Sequence, residues 1–340
     1  MLRNVYGLDL GTYEIKVYDK RKKNIWKEKD VIAIADKKEI FAVGNDAYEM
    51  YEKAPGNIQV VFPMQEGVIS RFNDMQYLLQ TLLGKGKHFT RSGEYVIAVP
   101  TDVTEVQKRA FFDLVVHSTA KAREVNIVER AIADCIGLGI DVQETKGVMI
   151  ANFGGETTEI SVVASGGMIL NKLVKVGGAT FDTAVTNRVR RQYDFLIGRL
   201  TSETMRRRFG IFGGDSHAAL TVAGRNLVTG VPKQEEIPIS LVRAAMKDPL
   251  EVCIREMNLM LDRTPPEVLR AIQENGIFLT GGLANMPGLG RYIEGTTGYK
   301  VHTANRPEIC AVEGLGRIIS SRELRKMAYS MMDDNVRWMR

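Results

Sequence analysis

DLGTYEIKV at residues 9–17 returns, with two residues inserted, as NFGGETTEISV at residues 152–162; the two stretches match at Gly, Thr, Glu, Ile and Val. In each, an apolar strand runs into a turn containing Gly and Thr and comes back as a second strand. The sequence therefore predicts two similar β-hairpins, each opening one half of the chain. Backbone N–H groups and hydroxyls gather at such turns, and that arrangement can hold phosphate oxygens. Two of them facing each other across a cleft would grip a nucleotide polyphosphate from both sides, and the cleft would be a natural hinge.

Outward from the first hairpin, VYGLDL, EIKVYDK, VIAIAD and EIFAVG read as a β-meander with a charged turn at Lys20 to Lys23, followed by a Pro-, Gly- and Asn-rich loop at 54–63. The pattern then alternates: MQYLLQTLL helical, YVIAVP a buried strand, EVQKRAFFDLVVHSTA helical, EVNIV a strand, RAIADCIGLG helical. Such alternation predicts an α/β fold. Asp102 and Glu105 have capping-box spacing, which places a helix start at Glu105. A third glycine-rich turn, GIFLTGGLANMPGL at 276–289, follows an apolar strand and precedes a helix, and its Gly281-Gly282 lets backbone approach a ligand closely. Each turn alone is ordinary punctuation between a strand and a helix. Their order and spacing together favour a ligand.

The chain has 340 residues, 46 Lys+Arg against 41 Asp+Glu (net +5), 44% hydrophobic residues and three cysteines. That length suggests about two domains of roughly 150 residues and excludes disorder as the dominant state. No stretch approaches the roughly 20 apolar residues of a membrane-spanning helix, and MLRNVYGLDL passes from one Arg into a strand pattern without a signal-peptide core, so a cytoplasmic protein is expected. Cys135, Cys253 and Cys310 lie far apart and form no ligand-spaced cluster with the histidines, which argues against a zinc site or a disulfide framework. The small positive excess is no nucleic-acid footprint.

The segments GLDLGT (7–12), VIAVPTDVTEVQKRA (96–110), REVNIVERAIADCIGLG (123–139), NFGGETTEISVV (152–163), VGGATFDTAV (176–185), GRNLVTGVPK (224–233), RTPPEV (263–268), GIFLTGGLANMPGL (276–289) and AVEGLGRII (311–319) resemble the actin superfamily and, within it, the bacterial rod-shape family MreB. The resemblance spans nearly the whole chain. It implies an actin-like, ribonuclease H-like duplicated α/β fold of two lobes and four subdomains around an ATP cleft, with subunits stacking into protofilaments. Lobe I would take residues 1–145 plus 315–340, with a smaller subdomain near 31–66; lobe II would take 146–314, with a smaller subdomain near 182–243. Carried over by position, Asp9, Gly11 and Thr12 form the first phosphate loop, and Gly154, Gly155, Thr157 and Thr158 the second. Gly177 and Gly178 approach the ribose or phosphates, Glu203 and Arg206 flank the nucleoside, and Gly281 and Gly282 line the adenosine. ATP and Mg2+ are the implied cofactors, with Asp9 reaching the metal through water. Lys16 departs from the usual MreB residue, but its spacing from Asp9 resembles that of the phosphate-contacting lysine of actin and of plasmid-segregating filaments.

At the hydrolytic positions this chain departs from the family. Asn152 stands where an aspartate helps hold hydrated magnesium, and Glu156 replaces a glycine. Arg130 occupies the position of the catalytic glutamate that orients the attacking water; with Thr158 it is the residue assigned to the hydrolytic step. A guanidinium cannot accept that water's proton. Slow or absent hydrolysis follows, with Arg130 expected either to pair with Glu156 or to contact phosphate.

In GKGKHFTRSG (84–93), Phe89 lies among Lys85, Lys87 and Arg91, a pattern suited to an anionic lipid surface. The resemblance makes His88-Phe89 the membrane-inserting pair. The tail RELRKMAYSMMDDNVRWMR (322–340) carries Leu324, Met327, Met331 and Met332 at helical spacing, which predicts a helix packed on its own domain. The expected protein is thus a cytoskeletal filament subunit at the inner face of the cell membrane. It assembles with itself, contacts cell-wall elongation and cytoskeletal membrane proteins, organises wall synthesis and binds no nucleic acid. A sugar kinase or chaperone ATPase of the same fold, or a non-polymerising regulator of another filament, are the rival readings.

Overall fold

A computed structural model describes residues 4–36, 39–85, 93–118, 122–215 and 217–332. The chain opens with β1 (Val5–Leu10), β2 (Glu14–Asp19), β3 (Asn24–Lys29), β4 (Ile32–Ala35) and β5 (Glu39–Val43), then α1 (Asn45–Tyr48) and β6 (Ile58–Val61). After β7 (Met64–Gln65), β8 (Val68–Ile69) and α2 (Phe72–Lys85), strands and helices alternate as β9 (Glu94–Val99), α3 (Glu105–Val116), β10 (Glu124–Glu129) and α4 (Arg130–Leu138). The second hairpin, β11 (Val148–Phe153) and β12 (Thr158–Ala164), leads through β13 (Gly167–Val174) to α5 (Gly178–Tyr193), β14 (Phe195–Leu196) and α6 (Arg199–Phe209). There follow β15 (Ala219–Asn226), β16 (Pro232–Pro238), α7 (Ile239–Arg263), α8 (Pro266–Asn275), β17 (Ile277–Thr280), α9 (Leu289–Thr297), β18 (Val301–Thr303) and α10 (Cys310–Ser320).

Two five-stranded sheets repeat one plan. The first runs β10-β9-β1-β2-β3 and the second β18-β17-β11-β12-β13, so a hairpin fills the same place in each. In the first, β1 is parallel to β9 and antiparallel to β2. All six residues of β1 are buried, as expected of a central strand with both faces covered. The alternating burial of β2 puts Ile15, Val17 and Asp19 inward. The register sets Asp9 directly opposite Lys16.

The turns coincide more closely than the sequence match implied. Gly11 N–H donates to the Glu14 carbonyl (3.2 Å) and Gly154 N–H to the Thr157 carbonyl (2.8 Å), so both turns close over the same number of residues. A two-residue insertion is not needed: Gly11 corresponds to Gly154 and Glu14 to Thr157. Hairpin closure fixes turn length. The Thr, Glu, Ile and Val identities that favoured the gapped match fall at non-equivalent positions.

The chain divides into two compact units, one holding residues 1–145, 163–173 and 309–340, the other 146–162 and 174–308. The core of the first gathers Leu8, Leu10, Ile15, Met75, Leu79, Ile97, Phe111, Phe112 and Ile127. Its tightest packing is between α4 and α10. A Cβ at Gly314 would fall on the Ala133 carbonyl, and one at Gly137 on the Cys310 carbonyl. In the second unit α5 packs on α7, and Phe181 and Val185 of the first helix and Met246 and Cys253 of the second are buried.

Four local expectations change. Ile58–Val61, within the expected loop, is a strand paired with β4, consistent with its apolar and β-branched run Ile-Gln-Val-Val. The charged NIWKEK forms β3, an edge strand whose lysines and glutamate suit an unpaired flank. The cap of α3 is Thr104, in a capping box with Gln107, while Asp102 sits at φ 55° and accepts from Leu173 N–H (3.0 Å). The tail is not one continuous helix: a 3-10 turn spans Leu324–Met327, and Tyr329 then pairs with Ile127 at the edge of β10 (2.8 and 3.0 Å). Met331 is buried in the core as expected, but Met332 is exposed.

Candidate functional site

In the first unit the site is built on the β1–β2 turn. Asp9, at the end of β1, is buried and carries a cation on each oxygen: Lys16 Nζ at 3.1 Å from Oδ2 and Arg130 Nε at 3.4 Å from Oδ1. Arg130 is the first residue of α4, directly after β10, the strand beyond β9 in the same sheet, and its Nη2 donates to the Leu10 carbonyl (3.2 Å). Lys16 Nζ lies 3.8 Å from where a Gly11 side chain would begin. Burial alone would raise the Asp9 carboxyl, but attraction to Lys16 and Arg130, and their hydrogen bonds, hold it below the ordinary range. Thr12 is buried beside it in the turn. Lys16 and Arg130 thus meet on one carboxylate beside the turn's backbone.

Neighbouring Glu14 is committed elsewhere, to Lys29 (2.6 Å) and Lys27 (3.9 Å). Lys29 Nζ also sits 3.8 Å over the Tyr13 ring, and Tyr13 meets Tyr48 edge to face. Glu129 Oε1 accepts from the Tyr329 hydroxyl (2.7 Å), so the tail reaches the residue before Arg130. Sequence reasoning did not anticipate that bond. Nothing in the local pattern around Tyr329 signals a partner 200 residues away.

In the second unit the β11–β12 turn docks on the start of α5. Gly178 N–H donates to Gly154 O (3.1 Å) and Ala179 N–H to Gly155 O (2.8 Å). A Cβ on Gly177 would stand 2.5 Å from the Thr157 nitrogen and the Glu156 carbonyl carbon, so only glycine permits this approach. Thr157 is buried in the turn. Thr158 is fully buried: its hydroxyl donates to the Val176 carbonyl (2.7 Å) and ties β12 to the segment before α5. Asn152 lies in β11 opposite Thr280, and Gly281, at φ 81°, turns so that a Cβ would stand 2.6 Å from Asn152 Oδ1. The Gly281-Gly282 turn therefore closes onto the end of β11, while the nearest neighbour to a Cβ at Gly282 is Glu308, at 3.8 Å.

Glu203 and Arg206 lie on α6 as a buried pair 3.9 Å apart, but the main partner of Arg206 is Asp182 of α5, bound through Nε (2.6 Å) and Nη2 (3.3 Å). Glu203 instead takes Arg207 (2.7 Å). Burial pushes the Asp182 carboxyl up despite the guanidinium beside it. The signal for Asp182 was present in VGGATFDTAV: an aspartate between Phe181 and Val185, on a face that helical periodicity turns inward. Removing one partner strands a buried charge. Arg206→Met is expected to destabilise the chain by about 3–5 kcal/mol, with much of the loss recovered in an Arg206→Met, Asp182→Leu double variant, as urea unfolding would measure.

Cys135, Cys253 and Cys310 are all buried free thiols whose pKa values are raised by burial, as fits packing residues rather than nucleophiles. Among the described residues no helix is long and apolar enough to cross a membrane. His88 and Phe89 lie outside the described residues, as do Trp338 and Met339.

The model of the MreB/Mbl protein family matches residues 3–327. The cell shape-determining protein MreB of Escherichia coli K12 is 34% identical over 328 residues, 94% of each chain. Among solved structures, MreB5 of Spiroplasma citri bound to AMPPNP superposes with a TM-score of 0.89 at 27% identity, covering 96% of this chain and 98% of that one. A MamK double helical filament gives a TM-score of 0.79 at 19% identity, covering 94% and 99%, a likeness of fold.

Proposed function

The chain belongs to the MreB/Mbl family and has its actin-like α/β fold, and from that premise we propose that it is a nucleotide-binding filament subunit that helps set cell shape. The observation that carries the reading is the matched pair of glycine turns, Gly11–Glu14 and Gly154–Thr157, one flanked by Lys16 and Arg130 and the other seated on the first N–H groups of α5. Each turn takes phosphate oxygens of ATP, the nucleotide whose analogue AMPPNP is bound in the Spiroplasma relative. Glu203, Arg206, Gly281 and Gly282 contribute to the nucleoside side, with Arg206 acting through its bond to Asp182. Hydrolysis is slow, because Arg130 stands where a proton acceptor is needed.

Self-association draws on exposed apolar side chains at two hairpins: Phe41 in β5, and Leu227, Val228 and Val231 at the β15–β16 turn. Two smaller subdomains, near 31–66 and 182–243, would carry these surfaces outward from lobes I (1–145 with 315–340) and II (146–314). Attachment to the inner face of the membrane rests on the basic, aromatic GKGKHFTRSG sequence, and wall-elongation proteins are the partners such a site serves. The Mg2+ expected at Asp9 is where the reading departs from the family pattern.

Sedimentation and electron microscopy with ATP, AMPPNP or no nucleotide, each with and without anionic vesicles, test the proposal. Filaments that pellet with nucleotide and bind the vesicles are expected. Dispersed particles in every condition, with no uptake of adenine or guanine nucleotide by calorimetry, would overturn it.

A further inference from the structure

A divalent cation that bridges a polyphosphate needs oxygen donors with negative charge to spare. The carboxylates around the Gly11 turn are already spoken for. Asp9 holds Lys16 on one oxygen and Arg130 on the other, and Glu14 holds Lys29 and Lys27. Asn152 offers only a neutral amide. The residues present do not fit the Mg2+ that the family implies.

We infer that Lys16 and Arg130 replace the divalent cation, so that this chain binds nucleoside polyphosphates without a metal. The inference rests on the nucleotide-binding reading above. Both cations are held in place before any ligand arrives: Lys16 by strand register opposite Asp9, Arg130 by its position at the start of α4 and its bond to Leu10 O. Their side chains are only 13% and 10% exposed, so water screens them weakly. A planar guanidinium binds phosphate oxygens in a fork, and an ammonium has three donors, only one of which Asp9 requires. A hydrated divalent ion entering beside this pair would meet like charge in a low-dielectric setting, where repulsion is strong. Asp9 serves here to position the two cations.

Calorimetric titration of ATP into the unmodified chain, once in excess Mg2+ and once in EDTA, tests this without any variant. The two dissociation constants are expected to agree within about threefold. Lys16→Gln and Arg130→Ala should each weaken ATP by about ten- to hundredfold in both buffers, the scale of a lost charge-assisted contact. Circular dichroism melts identify any variant that is merely unfolded. Binding that weakens more than about tenfold in EDTA overturns the inference and leaves the nucleotide reading standing. Binding in neither buffer overturns both.

Discussion

An Arg130→Glu, Asn152→Asp, Glu156→Gly triple variant is expected to release phosphate from ATP in Mg2+ at least about a hundredfold faster than the unaltered chain, since a well-placed catalytic group lowers the barrier by roughly 3 to 4 kcal/mol. Arg130 is the limiting residue. Its guanidinium stays protonated and has no acceptor for the attacking water's proton, whereas a carboxylate can act as general base. The position suits a carboxylate, because it is the first residue of α4 and the helix dipole favours negative charge there. The single Arg130→Glu change is not expected to suffice: it removes one of the two cations on Asp9 and adds a like charge nearby. Asn152→Asp supplies a harder partner for magnesium, and Glu156→Gly removes a carboxylate from the turn while keeping the backbone that Gly177 touches. The triple variant should also acquire a requirement for Mg2+ in binding that the parent lacks. Phosphate release per bound nucleotide is the measurement, and an unchanged rate with ATP binding intact would remove Arg130 from the hydrolytic position.

Gly314→Val is expected to be among the most damaging single changes in the first unit, costing about 4 kcal/mol or more and leaving much of the chain insoluble. Valine is ordinarily a better helix former than glycine. At this position its Cβ would land on the Ala133 carbonyl of the facing helix and close to the Gly137 nitrogen, which are backbone atoms and cannot swing away. Separating the helices would also strip cover from β1, against which α10 packs, and so from the strand that ends at Asp9. Gly56→Val is the control. A Cβ at Gly56 meets nothing within 4 Å, and the change should stay within about 0.5 kcal/mol. Chemical unfolding of both variants measures the difference; equal stabilities would show that α4 and α10 can part without loss.

The sequence was most informative where the hydrophobic period was long and regular. The hairpins around Gly11 and Gly154, the alternation from α2 to α4 and the glycine turn before α9 were legible because burial, turn residues and period agreed. It was least informative where two local signals competed. Asp102-Glu105 and Thr104-Gln107 share capping-box spacing, and only the tertiary bond from Leu173 to Asp102 decides between them. Long-range pairs were invisible for another reason. The hold of Asp182 on Arg206 and of Tyr329 on Glu129 depends on which helix face or chain end meets which strand, and no local pattern encodes that. The family pattern proposes residues for the candidate site but says nothing of the bonds among them. Lys16 and Arg130 converging on one carboxylate is a fact of strand register and of the neighbouring helix start.

The clasp made by Tyr329 bears on how the protein is labelled for imaging. A fluorescent fusion downstream of Met332 hangs from a segment fastened, through Ile127 and Glu129, to the strand that delivers Arg130. Tugging or crowding by the reporter would be felt there first. Splicing the fluorophore into the outward bend at Lys22–Lys23 leaves that fastening alone.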